Sequence, residues 1–137
     1  MDVALRWRKG KVAEQEIGDE LDLLRRERYY VLHDVEQDGE GNVDHLVSGP
    51  SGVFLVETKY RGYEFSALLK ARRQAAKLHD VLGVWVTPVI CVAKRSYGPR
   101  KHRGVWVMGK NELLDWIRAQ HNATLPFERL ARFADRL

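Results

Sequence analysis

Two acids and a lysine stand near the middle of the chain: Asp44, and then Glu57 and Lys59 across a short turn. Gly49-Pro50-Ser51-Gly52 is strong turn chemistry between two strand-like runs, residues 43–48 and 53–59. With a loop of the four residues 49–52, Ser48 pairs with Val53, Leu46 with Leu55, and Asp44 with Glu57. Like charges directly opposite each other destabilise a strand pair, so something must compensate them. A hard divalent cation does so: Mg²⁺ prefers carboxylate oxygens and is usually held by one or two carboxylates plus a substrate phosphate. Lys59 lies two residues beyond Glu57 and so on the same face, where its ammonium can hold an attacking water or steady charge on a phosphate. Two carboxylates and a lysine around Mg²⁺ or Mn²⁺ are equipment for phosphodiester hydrolysis.

Two further polar side chains are candidates for the same site. Residues 12–27 show helical spacing in Ile17, Leu21 and Leu24, and Glu14 falls on or beside that inward stripe. An inward carboxylate needs a cation or a water-filled cleft, so Glu14 is a candidate third metal ligand. Gln74 sits in a second helix and can orient a water or a phosphate through its amide.

The elements that must position these groups are readable in outline. Residues 29–35 are rich in β-branched and aromatic side chains and end in the polar stretch 36–42, a strand followed by a turn. In the hairpin, alternation places Asp44, Leu46, Ser48, Val53, Leu55, Glu57 and Lys59 on one face. Val43, His45, Val47, Phe54, Val56 and Thr58 take the other. Both faces are largely apolar, which predicts a central hairpin covered by helices on each side. Residues 65–82 read as an amphipathic helix with a basic face, stopped by Gly83. Residues 84–93 read as a nearly continuous apolar strand, with Pro88 marking an edge, a bulge or a break into two shorter pieces. A basic loop at 94–104, a short strand at 105–108, a helix at 111–120 capped by Asn111 and a last helix at 127–136 complete the chain. The expected architecture is α/β, a central mixed sheet flanked by helices in the order α-β-β-β-α-β, with an extra C-terminal strand and helices.

Composition narrows the classes. The 137 residues suffice for one core, so residues 1–137 are expected to form a single domain. With 45% hydrophobic and 31% charged residues the chain fits a soluble globular protein, not a disordered one. No apolar run is long enough to span a bilayer and residues 1–11 are too basic for a secretory signal, so no membrane partner and a cytoplasmic location are expected. A net charge of +4 favours polyanionic partners without requiring them.

Within the loop, Lys94, Arg95, Arg100, Lys101 and Arg103 can track a phosphate backbone, although a charge run is more often a solvated face. Trp85, Trp106 and Trp116 fall in strand or helix patterns and are expected in the core, as is the lone Cys91. His45 points away from Asp44 and is expected to make a core hydrogen bond, not to bind metal.

The stretches Val31-Leu32-His33-Asp34-Val35, Val43-Asp44-His45-Leu46-Val47, Gly49-Pro50-Ser51-Gly52-Val53-Phe54 and Glu57-Thr58-Lys59 resemble the nuclease-related domain family, a branch of the PD-(D/E)XK nuclease superfamily. The resemblance runs from about Gly10 to Gln120. It implies a restriction-endonuclease-like core, with Asp44 and Glu57 as metal-binding acids, Lys59 as the catalytic lysine, and Gln74 and Glu14 as the helical glutamine and glutamate. Members often carry a further hairpin after the Glu-x-Lys strand, where this chain has only Tyr60-Arg61-Gly62-Tyr63-Glu64. The function expected is a Mg²⁺- or Mn²⁺-dependent nuclease acting on DNA ahead of RNA, with a homodimer as one arrangement. The rival is a catalytically silent module of the same fold that binds nucleic acid or protein.

Overall fold

The computed structural model describes residues 3–37, 39, 41–126, 128, 129, 131 and 132, with side chains from Arg8 onward. Helix α1 (Val3–Asp22) passes through a 3₁₀ turn (Leu23–Glu27) into strand β1 (Tyr30–Val35). Strands β2 (Val43–Gly49) and β3 (Gly52–Lys59) follow, then helix α2 (Phe65–Leu82) and strand β4 (Val86–Val92). A hairpin of β5 (Arg100–His102) and β6 (Val105–Gly109) leads into α3 (Lys110–Arg118). The six strands form one mixed sheet in the order β1-β2-β3-β4-β6-β5. Strands β1, β2 and β3 run antiparallel, whereas β4 is parallel to both β3 and β6. The right-handed crossover that such a parallel β3–β4 pair needs is supplied by α2.

Each face of the sheet buries a different set of helices, as the two apolar faces of the hairpin predict. On one face Leu68, Ala71, Ala75, Leu78 and Leu82 of α2 pack on Leu46, Val53, Leu55 and Ile90. On the other, Ile17 and Leu21 of α1 and Leu113, Trp116 and Ile117 of α3 pack on Val47, Phe54, Val56 and Cys91. Burial pushes the Cys91 thiol up to about 12, so it serves as a small core residue.

The hairpin register is the one expected, with Ser48 opposite Val53 and Leu46 opposite Leu55. Its turn is tighter than expected. Gly49 pairs with Gly52, so Pro50-Ser51 alone makes the bend. Tyr29 lies across it, donating or accepting a 2.8 Å hydrogen bond with Ser51, and a Cβ on Gly49 would stand 2.2 Å from the Tyr29 ring.

Four other expectations need correction. Helix α1 begins at Val3, well before residue 12. Residues 100–102 form strand β5, where a loop was expected. Its turn to β6 has two positive φ values, Arg103 at 52° and Gly104 at 83°, which suit a two-residue hairpin. Helix α3 is preceded by Gly109, and no side chain caps it. Pro88 lies within the interior strand β4, but β6 pairs only from Val89 onward, so no ladder partner is needed there on that side. The helix expected at 127–136 falls largely outside the described residues. Among the described residues no helix is long and apolar enough to cross a membrane.

Candidate active site

Asp44 and Glu57 meet where β2 and β3 run out. The ladder closes at His45 opposite Val56, and one step further in the same register Asp44 faces Glu57. The Asp44 N–H donates to Glu57 Oε1 at 3.4 Å. Thr58 donates twice to Asp44 Oδ2, from its backbone N–H at 2.8 Å and its hydroxyl at 2.9 Å. Asp44 is therefore fixed by the residue that follows Glu57.

Simple alternation does not hold here. It places Asp44 and Thr58 on opposite faces and Val43 on the α1 side, yet Thr58 binds Asp44 and Val43 packs on the α2 side with Val35. The physical reason is in β1. Asp34, between His33 opposite His45 and Val35 opposite Val43, has a φ of 53°, which breaks the pleat. Asn42 holds the distorted residue by donating to Asp34 Oδ1 at 2.8 Å.

The electrostatics of the acids follow from this crowding. Glu57 is 8% exposed, and burial, then the neighbouring Asp44, push its carboxyl up to about 8. Glu14 reaches Asp44 from α1, and its carboxyl is raised by partial burial first and by Asp44 second. Lys11 lies 3.8 Å from the Glu14 carboxylate and opposes that rise. Glu57 and Glu14 thus each interact with Asp44.

These acids supply only oxygen donors. Among the described residues no set of three or more His, Cys, Asp or Glu side chains is preassembled as a metal cage. A pair of carboxylates with a third nearby fits Mg²⁺, which is seldom caged by protein alone and completes its shell with water and substrate phosphate. Burial first and the Asp44 charge second disfavour an ionised Glu57, and a divalent cation between the two acids would favour its ionised form.

Lys59 is the last residue of β3 and is half-buried. With Lys70 and Arg73 of α2 and Tyr63 and Glu64 of the short connection, it lines an open cleft of about 600 Å³. Lys70 belongs to the basic face of the helix expected at 65–82, and it is the cation whose field lowers Glu57. Gly62, Tyr63 and Glu64 border this cleft on the side of the 60–64 connection.

Gln74 is fully buried and donates from Nε2 to the Asn42 carbonyl at 3.2 Å. Its backbone carbonyl accepts from Gln37 Nε2 at 3.1 Å. It braces the entry to β2, two residues before Asp44. His45 is a core histidine, as expected: its Nδ1 lies 2.8 Å from His33 Nδ1, and His33 Nε2 lies 2.8 Å from Asp22 Oδ1. Burial pulls His45 down to about 4, so it is neutral at physiological pH.

The basic loop separates into different roles. Lys94 binds Glu16 at 2.9 Å and Arg95 binds the Tyr97 hydroxyl at 3.2 Å. Arg100 lies over the Tyr97 ring at 5.2 Å and Arg103 over Phe65 at 4.9 Å. Lys101 lines a groove with Arg72 and Arg73. Trp116 is buried, and Trp106 packs against it from the core's margin, with the rings tilted by 48° and their centroids 5.4 Å apart. Trp85 does not join them and is 58% exposed, because the strand begins only at Val86.

The sequence profile of the nuclease-related domain matches residues 9–93, more than half of the chain. The chain belongs to the nuclease-related domain family. Every acid and lysine of the site lies inside the matched segment, and the nuclease-related domain here adds the β5–β6 hairpin and α3 beyond it. An uncharacterized protein of Bacillus anthracis is 39% identical over 72 residues, 49% of this chain and 34% of that protein. This chain thus spans about a third of that relative's length. Two solved structures are similar: an EndoMS–dsDNA complex (TM-score 0.49, 17% identity, 86% of this chain and 46% of that one) and a repair endonuclease from Pyrococcus abyssi (TM-score 0.48, 16% identity, 85% and 47%).

Proposed function

We propose that this nuclease-related domain is a Mg²⁺- or Mn²⁺-dependent nuclease that hydrolyses phosphodiester bonds in DNA. The supporting observation is the buried Glu57 facing Asp44 beside a cleft lined by Lys59, Lys70 and Arg73. Asp44 and Glu57 would hold the ion, with Glu14 adjoining. When bound, the ion supplies Lewis-acid activation of water and of the scissile phosphate. Thr58 keeps the Asp44 carboxylate oriented, and Gln74 keeps the strand that carries it in register. Lys59 presents its ammonium to the attacking water or to charge developing on the phosphate, while Lys70 and Arg73 hold the flanking backbone.

One observation favours the rival, a binding module without catalysis. A Glu57 carboxyl at about 8 holds its proton at neutral pH, which lets the acid pair persist without any cation. Thermal denaturation with added Mg²⁺ or Mn²⁺ separates the two. A nuclease site must gain stability as the ion saturates it, and that gain must vanish in Glu57→Ala. A silent module would melt at the same temperature with and without metal, which would sink the catalytic proposal.

A further inference from the structure

A second recess of about 610 Å³ opens on the outer side of α2, between that helix, the start of β4 and the β5–β6 hairpin. Its wall is Trp85, and its floor includes Ala76 and Pro88. Its rim carries Arg72, Arg73 and Lys101, and none of its lining residues is acidic. The His79 ring lies beside Trp85, tilted by 59° with centroids 6.2 Å apart, and His79 Nδ1 donates to the carbonyl of the preceding residue, Val84, at 2.7 Å. A large aromatic surface, more than half exposed, next to three cations is a stacking platform beside a phosphate track.

The groove joins the candidate active site. Arg73 lines both this recess and the cleft that Lys59 and Lys70 share. Along β4, Trp85 is five residues before Ile90, the partner of Glu57, so about 17 Å separates platform from acids at ~3.3 Å per residue. A flexible strand can follow α2 across that gap.

We infer that this groove takes an unpaired, single-stranded segment of nucleic acid, with a base stacked on Trp85 and its phosphates on Arg72 and Lys101. The inference rests on the nucleic-acid part of the function proposed above and adds the form of the substrate. Charge complementarity selects a polyanion. The aromatic wall selects a strand whose base faces are free, since in a duplex they are hidden by stacking and pairing.

The test is fluorescence anisotropy with a labelled oligo-dT strand and a labelled duplex of equal length, in chelator so that nothing is cut. Wild type is compared with Trp85→Ala and Trp85→Phe; the exposed position leaves the core intact. Trp85→Ala should weaken single-strand binding by roughly 5- to 150-fold, the span of one lost base–aromatic stack, with Trp85→Phe restoring most of it and duplex binding changing under about twofold. Equal binding by wild type and Trp85→Ala, equal loss on both probes, or no single-strand binding by wild type would each overturn the inference. A Trp85-dependent loss in a protein that shows no metal-dependent cleavage would support the groove while defeating the nuclease proposal.

Discussion

The backbone N–H of Asp44 donates to Oε1 of Glu57 at 3.4 Å, so the second acid of the pair is received by the main chain of the first. This contact partly offsets the burial, and then the Asp44 charge, that push Glu57 up, and it couples both acids to the end of the β2–β3 ladder. A change at either residue is therefore felt by the other before any substrate arrives.

Replacing Glu57 by Gln keeps an acceptor for the Asp44 N–H and removes the charge. In metal-free protein at pH 8 and above, Glu57→Gln should melt higher than wild type, because no ionised carboxylate has to be buried. It should at the same time lose the Mg²⁺-induced stabilisation. Differential scanning fluorimetry with and without Mg²⁺ reads both effects.

The pH dependence has two limbs. Glu57 titrates at about 8 in the fold against an ordinary 4.5, so the folded state binds its proton more tightly. Its contribution is full below the unfolded value and is lost as pH rises towards 8, by at most about 1.4 kcal/mol per pH unit. His45 titrates at about 4 against 6.5, so its contribution is present above 6.5 and is lost as pH falls through 4. The two slopes oppose each other between 4.5 and 6.5, so urea denaturation of metal-free protein should show a near-plateau there and a decline from 6.5 towards 8; Glu57→Gln should flatten that decline and uncover the His45 decline below 6.5.

Thr58→Val deletes the hydroxyl that holds Asp44 Oδ2 at 2.9 Å and leaves the backbone bond in place. The expected cost is about 1 kcal/mol of stability. Metal affinity should fall by about tenfold because the carboxylate is freed to rotate. Calorimetric Mn²⁺ titration of wild type and variant measures the second effect.

Phe54 is fully buried on the α1 and α3 face and meets Trp116 edge-on at 5.6 Å. Phe54→Ala should cost about 3–5 kcal/mol, by lost burial and an unfilled cavity. Guanidinium denaturation checks it. Lys70→Ala, on the open cleft, should change stability by under about 1 kcal/mol but weaken DNA binding and reduce its salt dependence.

Much of this was legible before any coordinates. The hairpin register followed from Gly-Pro-Ser-Gly and the apolar runs beside it, because one slipped residue would turn Leu46 and Leu55 out of the core. The two helical layers followed from strands apolar on both faces. What could not be read was local. Nothing in Asp34 announces a positive φ, and simple alternation does not predict that Thr58 meets Asp44. Strand β5 escaped notice because Arg100, Lys101 and His102 are all exposed and show no apolar alternation. Trp85 read as core because it adjoins an apolar run, and only the late start of β4 puts it outside.

The most direct test of the central claim is cleavage of supercoiled and linear DNA in Mg²⁺ or Mn²⁺, with wild type beside Glu57→Ala and Lys59→Ala and a chelator control. Metal-dependent cutting by wild type, abolished by chelator and lost in both variants, is the predicted result. Cutting at equal rates by all three proteins, or by none of them, would contradict it.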